Sequence, residues 1–210
     1  YDTLNDFAPV TMVTSVTQVL LVHERLAVAT VRELLNQAKD HPGRFNYGAV
    51  GRGSLGDLSM LVLMQMTGAR LTPVSYKGAP QIMTALIGGE IQGYFSPPVV
   101  ALPQMRAGRV RALGVGTKNR LAVIPEVPTI AEAGVPGFEV VGWNGILAPA
   151  ATPRVIVERL HGAIIKVLRM PDIAAEIRAQ GIEPIGNTPQ EFARVVHADV
   201  ARWAKVLKAP

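Results

Sequence analysis

The chain has 210 residues, a formal net charge of +5 and no cysteine, which rules out disulfides, thiolate metal sites and a cysteine nucleophile. Hydrophobic residues make up 49% of the sequence, yet no apolar run approaches the roughly 18 residues needed to cross a bilayer. The basic residues are scattered and few aromatic residues lie among them, which argues against a nucleic-acid-binding surface.

The first predicted elements are strands followed by a helix. Residues 9–22 are rich in Val, Thr and Leu, so they predict two strand segments or one strand that passes between two lobes. Thr30 and Glu33 have the capping-box spacing, which predicts the start of a helix. Pro42 and Gly43 predict its end.

Short apolar segments alternate with helical segments between residues 45 and 116. We predict strands near residues 45–50, 71–76, 91–95 and 110–116, and helices near residues 55–67, 79–88 and 99–108. The strands read as continuous apolar runs and the connections are short. This pattern favours a parallel sheet covered by helices on both faces.

The texture of the sequence changes after Gly116. Loops rich in Pro and Gly follow, with one short helix predicted near residues 129–133. A strand is predicted near 140–149, and then a long helix with Thr152 as N-cap and Pro153 at its first position. A second helix ends near Gln180, and the capping-box spacing of Thr188 and Glu191 predicts the start of a final helix.

These elements predict an α/β protein with two lobes. Residues 18–140 form a self-consistent α/β lobe, whereas residues 1–17 and 141–210 supply strands and three helices that do not make a balanced sheet by themselves. We therefore expect the lobe built from the two ends of the chain to be incomplete.

A glycine-rich stretch raises the first functional question, because Gly51, Gly53 and Gly56 spell the dinucleotide-binding pattern G-x-G-x-x-G. That reading requires an acidic residue at the end of the next strand, and "SYK" stands there instead. Asp57 would also repel a pyrophosphate. Arg52 occupies the position where a nucleophile elbow needs glycine, and no P-loop is present.

A simpler interpretation of the glycine-rich stretch is an anion-binding site at the start of a helix. Backbone N–H groups and the positive end of the helix dipole would face a carboxylate or a phosphate, and Ser54 would add a hydroxyl. The structural alternative is a tight strand-to-helix turn whose glycine permits close packing.

Two further loops lie at the ends of predicted strands and can converge with the first at one crevice. Tyr76, Lys77, Gly78 and Ser96 are then candidate ligand contacts. The alternatives are a solvated surface position for Lys77 and a place in the core for Phe95.

Trp143 lies in "GWNG", near the predicted crossing between lobes, and is either a cleft wall or a packing residue. The four histidines have no metal-ligand spacing, so no metal site is predicted. No nucleophile–base pair is recognisable either, so we do not expect an enzyme.

Several ordered motifs resemble one family over essentially the whole chain. They include "VSYKGAPQIMTALIGGEIQGYFSPP", "AGRVRALGVGTKNR", "IPEVPTIAEAGVPGFEVVGWNGILAPAATP" and "GIEPIGNTPQEFARVVHADVARWAKVLK". The sequence is similar to the Bug solute receptors, which are the extracytoplasmic binding proteins of tripartite tricarboxylate transporters.

The resemblance implies a class II-like periplasmic-binding fold with two lobes and parallel or mixed sheets flanked by helices. It implies a periplasmic protein that captures a small carboxylate in an interlobe cleft and delivers it to a membrane permease, without a cofactor. Family ligand loops match Thr14 and Ser15, Gly53 and Ser54, and Phe95 and Ser96.

The sequence departs from the family pattern at two places. It begins well inside the pattern, so we expect the N-terminal part of the first lobe to be lacking. Ser96 stands where many relatives carry an acid, which argues against an amino-acid ligand. Two alternatives stay open: a truncated form that binds no solute and forms homo-oligomers or swaps elements, and the effector-binding domain of a regulator.

Overall fold

A computed structural model describes residues 1–208 of the chain. The chain divides into two compact units. Unit 1 comprises Tyr1–Val16 together with the chain from Gly142 onward, and unit 2 comprises Thr17–Val141. Within residues 1–208, no helix combines the length and the apolar character that a membrane span requires.

Unit 2 contains one five-stranded sheet and four helices. Its elements are β2 (Val19–His23), α1 (Val31–Asp40), β3 (Asn46–Ala49), α2 (Leu55–Thr67), β4 (Thr72–Ser75), α3 (Ala79–Ile87), β5 (Gly93–Ser96), α4 (Pro98–Arg106) and β6 (Val110–Val115). The strand order is β4-β3-β5-β2-β6. The predicted alternation of strands and helices is therefore confirmed in this unit.

The sheet is mixed, which agrees with the parallel or mixed sheets that the resemblance implies and differs from the parallel sheet that the apolar strand pattern favours. β3 pairs in parallel with β4 and with β5, whereas β2 pairs antiparallel with β5 and β6. Residues 19–22 of β2 are completely buried, so this strand is apolar on both faces. A strand buried on both faces has the same apolar pattern in either direction, and its sequence does not reveal its orientation.

The helices of unit 2 begin and end at the signals that the sequence carries. The Glu33 N–H donates to Thr30 Oγ1 at 3.2 Å, and Glu33 Oε2 accepts from the Ala29 N–H at 2.7 Å, which caps α1. Helix α2 starts after Ser54 and stops at Gly68, whose φ of 72° suits glycine. Side-chain caps thus fix where α1 and α2 begin.

One part of the core of unit 2 lies where α3 and α4 pack on the sheet, and buried residues of α1 and α2, such as Leu34 and Leu63, form another. The buried members of the first part include Leu21, Ile82, Leu86 and Tyr94. Burial of such side chains contributes about 1.5–3 kcal/mol each. This packing holds the strand ends in place.

The short helix predicted near residues 129–133 is not formed. Thr129 and Glu132 do exchange capping hydrogen bonds, with Glu132 Oε2 accepting from the Thr129 N–H at 2.8 Å. The chain closes one turn, in which the Ala133 N–H donates to the Thr129 carbonyl, and Gly134 then takes a φ of 115°. A positive φ cannot continue a right-handed helix, so the capping signal is not followed by one.

Unit 1 contains a three-stranded antiparallel sheet and three helices. Its elements are β1 (Phe7–Val16), β7 (Gly142–Pro149), α5 (Arg154–Leu168), α6 (Pro171–Ala179), β8 (Glu183–Pro184) and α7 (Pro189–Lys208). The strand order is β7-β1-β8. The strand β8 was not anticipated, because a two-residue strand leaves no periodic pattern to read.

The helices of unit 1 are those that the sequence predicts, with one difference at a cap. Pro153 rather than Thr152 is the N-cap of α5, and it makes no side-chain capping bond. At the start of α7 the predicted capping box is confirmed: the Thr188 N–H donates to Glu191 Oε2 at 2.8 Å and the Glu191 N–H donates to Thr188 Oγ1 at 3.3 Å. Phe192 then inserts into the core of the unit with no exposed surface.

Candidate functional site

Three parallel strands of unit 2 end at the same edge of the sheet, and each is followed by a helix. β3 leads into α2, β4 into α3 and β5 into α4. The N-termini of these helices therefore lie at the carboxyl ends of the strands, which is where open α/β sheets bind ligands.

A cavity of about 200 Å³ opens at this edge. All of its lining residues belong to unit 2: Gln18, Ala49, Val50, Ser54, Leu55, Gly56, Ala79, Tyr94, Phe95 and Pro97. None of these side chains carries a charge. An anion in this cavity would depend on neutral hydrogen-bond donors and on the helix dipoles.

Larger cavities lie elsewhere on the units. One of about 720 Å³ runs beside α1 and holds the Arg120–Glu132 ion pair, and one of about 470 Å³ lies between α5 and α6. Neither lies at the carboxyl ends of β3, β4 and β5. The strand-end cavity is therefore the site that the fold favours.

The start of α2 presents two unbonded backbone N–H groups beside the cavity. The Ser54 N–H donates to the Gly51 carbonyl, and the Asp57 N–H donates to Ser54 Oγ at 3.4 Å. Within residues 1–208 no hydrogen bond joins the N–H groups of Leu55 and Gly56 to another group. Such unsatisfied donors, together with the positive end of the dipole, make a helix start attractive to anions.

The buried carboxylate of Asp57 stabilises this turn through two hydrogen bonds. Asp57, which is 4% exposed, accepts from the Tyr47 hydroxyl at 2.7 Å and from the Gly53 N–H at 2.8 Å. Burial, followed by the hydrogen bond to Asp57, raises the pKa of Tyr47 well above its ordinary value. The Gly53 N–H is consequently used inside the protein, and both oxygens of the Asp57 carboxylate accept a hydrogen bond.

All three glycines in the stretch have definite structural reasons. Gly51 has a φ of 129° and Gly53 a φ of 82°, backbone conformations that other residues rarely adopt. A Cβ on Gly56 would lie 2.8 Å from the carbonyl oxygen of Phe95. This close approach brings the start of α2 against the end of β5.

The starts of α3 and α4 offer fewer backbone donors than the start of α2. Ala79 lines the cavity at the first position of α3, and its N–H makes no bond to residues 1–208. Pro97 caps α4 and Pro98 follows it, so neither position has an N–H to offer. Helices α3 and α4 therefore contribute their dipoles and one backbone amide.

The structure brings only part of the predicted site to the cavity. Ser54 and Phe95 line it directly. Ser96 is fully buried, and its hydroxyl donates to the Pro97 carbonyl at 3.2 Å. Burial raises the pKa of Tyr94, another lining residue, to about 12, so its hydroxyl stays neutral at physiological pH.

The loop after β4 lies beside the cavity without lining it. Tyr76 and Gly78 are partly exposed and Lys77 is exposed. The Lys77 N–H donates to Gln81 Oε1 at 3.1 Å, while its ammonium group makes no ion pair within residues 1–208. A role for these residues in binding stays a prediction.

Three predicted site residues belong to unit 1. Thr14 Oγ1 accepts from Asn144 Nδ2 at 3.1 Å, and Ser15 pairs with Trp143 across the strands β1 and β7. The Trp143 indole N–H donates to Asp199 Oδ2 at 2.7 Å. The Trp143 ring also meets that of Phe192 edge to face at 4.9 Å, so the indole has a packing role in unit 1, and its role in binding stays a prediction.

Gln18 is a lining residue that the sequence analysis did not identify. It is 5% exposed and lies immediately before β2. Because β2 runs antiparallel to β5, the start of β2 lies at the carboxyl edge of the parallel strands, with Val19 opposite Ser96. In a wholly parallel sheet, a residue before a strand would lie at the opposite edge.

The sequence profile of the tripartite tricarboxylate transporter family receptors (TctC) matches residues 1–210. The chain belongs to this receptor family. TctC proteins are substrate receptors rather than enzymes, and the α/β fold with mixed sheets agrees with that of solved family members.

Known TctC relatives resemble the chain over nearly all of its length. A protein from the tcbD-tcbE intergenic region of Pseudomonas sp. strain P51 is 34% identical over 99% of the chain. The solved structure of Rpa4515 from R. palustris with adipate is 36% identical with a TM-score of 0.91, and covers 99% of this chain and 70% of its own. That of MatC from Rhodopseudomonas palustris with bound malate is 30% identical with a TM-score of 0.86, and covers 96% of this chain and 70% of its own.

The chain matches only part of each relative. It spans 62% of the Pseudomonas protein, and 61% and 64% of two other curated relatives, from Agrobacterium vitis and Bordetella pertussis. Within residues 1–208, no group of three or more His, Asp or Glu side chains is placed to hold a metal ion.

Proposed function

We propose that the chain is part of a periplasmic solute receptor that captures a small carboxylate, and that the strand-end cavity of unit 2 binds one carboxylate group of that solute. The receptor would then deliver the acid to the membrane permease of a tripartite transporter. The observation that supports this most directly is the pair of unbonded N–H groups, Leu55 and Gly56, beside a cavity reached by three helix N-termini.

The chemistry of the cavity fits a carboxylate better than a cation or a neutral molecule. Its lining contains no acidic side chain, and the one acid nearby, Asp57, is already hydrogen-bonded twice. Helix N-termini favour negative charge, and backbone N–H groups donate strong hydrogen bonds to charged acceptors. Two relatives whose structures contain adipate and malate support the same class of ligand.

Isothermal titration calorimetry of the 210-residue chain tests the proposal. Adipate and malate are the first acids to titrate, and adipamide is the matched control because it keeps the shape of adipate without its charge. We expect an acid to bind and the diamide to give no heat. If no mono-, di- or tricarboxylate binds at millimolar concentration, the proposal is wrong for this chain.

A substitution of Leu55 can remove a single backbone donor. Leu55 is the first residue of α2, where proline is well tolerated, and Ser54 has a φ of −63° and a ψ of 154°, which suits a residue before proline. Leu55→Pro deletes one N–H, and Leu55→Ala is the control for the lost side chain. We expect Leu55→Pro to bind the acid about tenfold more weakly than Leu55→Ala, since a hydrogen bond to a charged group contributes about 1.5 kcal/mol or more.

Light scattering on the same samples distinguishes the alternative, an oligomer that takes up no acid. Unit 1 exposes several large apolar side chains on α5, including Val155, Ile156 and Val167, which would favour self-association. A monomer that binds an acid would contradict this alternative.

A further inference from the structure

Gln18 is a largely buried residue whose carboxamide has no hydrogen-bond partner within residues 1–208. The residue is 5% exposed, yet its carboxamide is not among the fully enclosed side-chain groups without a partner, so it keeps accessible surface at the cavity that it lines. A carboxamide that lines a cavity without a protein partner is therefore available to a ligand.

Two other side chains that line the cavity carry one hydroxyl donor each. Ser54 Oγ accepts the capping bond from the Asp57 N–H and keeps its O–H free to donate, the Tyr94 hydroxyl is neutral, and the remaining walls are apolar. Gln18 carries an NH2 group with two donors. It complements the backbone N–H groups of Leu55 and Gly56, which line the same cavity.

We propose that Gln18 is a ligand contact that donates a hydrogen bond from its carboxamide to a carboxylate oxygen of the bound acid. The inference rests on the proposed function and adds a specific side chain to a site otherwise built from main-chain groups. The carboxylate is then held entirely by neutral donors, and the site forms no ion pair.

The test compares Gln18→Met with the unchanged chain in titrations against succinate and malate, two acids that differ by one hydroxyl. Methionine keeps the length of the side chain and removes the donors. We expect a loss of affinity of about tenfold to hundredfold that is the same for both acids, because hydrogen bonds to charged groups have this strength. A loss confined to malate would show that Gln18 reads the hydroxyl, and would overturn the proposal.

Two further variants make the result specific. Gln18→Glu keeps the shape and adds a negative charge, so we expect it to abolish binding at pH 7. Thr17→Val, at the buried neighbouring position outside the cavity lining, is the matched control and should bind as the unchanged chain does.

A measurement on the unchanged chain tests the proposal even if the variants do not fold. The side-chain ¹⁵N–¹H2 resonances of Gln18 should shift as succinate is added and saturate with the calorimetric affinity. If the chain binds succinate while these resonances stay fixed, or Gln18→Met binds equally well, the Gln18 proposal alone is wrong. If the unchanged chain binds no carboxylate, the proposed function fails and the Gln18 proposal fails with it.

Discussion

The hydrogen bond between Tyr47 and Asp57 is expected to stabilise the turn that carries the unbonded amides. Tyr47→Phe removes a 2.7 Å hydrogen bond to a buried carboxylate, which should lower the free energy of unfolding by about 2 kcal/mol. Asp57→Ala also removes the acceptor of the Gly53 N–H at 2.8 Å and leaves the Tyr47 hydroxyl without a partner. We expect this second variant to lose about 3 kcal/mol or more.

The double variant should lose less than the sum of the single losses. Once the carboxylate is gone, replacing Tyr47 by Phe removes a buried hydroxyl that no longer has a partner and costs no stability, so the coupling energy should be about 2 kcal/mol or more. Urea denaturation followed by far-UV circular dichroism gives the four free energies of the cycle. Tryptophan fluorescence follows the unfolding of unit 1, because Trp143 and Trp203 both lie there. It is therefore a reference against which the effect of the substitutions in unit 2 is compared.

Tyr94→Phe is the matched control for the cycle, because Tyr94 is equally buried but has no carboxylate partner. Additive losses to within about 0.5 kcal/mol would refute the idea that Asp57 and Tyr47 form one unit. A Tyr47→Phe loss no larger than that of Tyr94→Phe would refute it as well.

Further predictions concern single positions. Thr17→Val should raise the free energy of unfolding by about 1 kcal/mol in urea denaturation, because Thr17 Oγ1 is buried without a partner in the part of the chain that the structure describes; a loss of stability would contradict this. Gly145→Ala should prevent the native packing of unit 1, seen as a loss of near-UV circular dichroism, because its Cβ would overlap the Phe192 ring. Since burial raises the pKa of Tyr94 from 10.0 to about 12, its stabilising contribution is complete below pH 10 and is lost as the pH rises toward 12; Tyr94→Phe should therefore flatten the fall of stability measured between pH 10 and 12. The hydrogen bonds from Thr188 lower the pKa of Glu191 below 4.5, so Glu191→Gln should weaken the loss of helicity that acid titration produces as the pH falls through that value.

Local chemistry made much of the fold predictable. The caps at Thr30, Ser54 and Thr188 and the stop at Gly68 are decided by residues within one turn of each helix end, so the sequence contains all the information needed. The Thr129 capping signal is present too, yet the positive φ of Gly134 ends the helical turn there. A cap alone does not make a helix; the residues that follow must be able to continue it.

Strand direction was the part of the fold that could not be read. β2 is apolar on both faces, and whether it runs parallel or antiparallel to β5 depends on the rest of the sheet. Because only an antiparallel β2 brings Gln18 to the cavity, the wrong strand direction also hid Gln18 as a lining residue. No motif marks Gln18, and the signal that could have found it is a lone polar residue just before a fully apolar run.

The proposed carboxylate site is built largely from main-chain N–H groups, which no substitution other than one to proline removes. The walls, in contrast, are side chains such as Val50, Leu55 and Ala79, and Val50 is nearly half exposed. Evolution or protein engineering can therefore redraw the outline of the cavity while the anchoring point survives. One scaffold can in this way give rise to sensors for a whole series of organic acids.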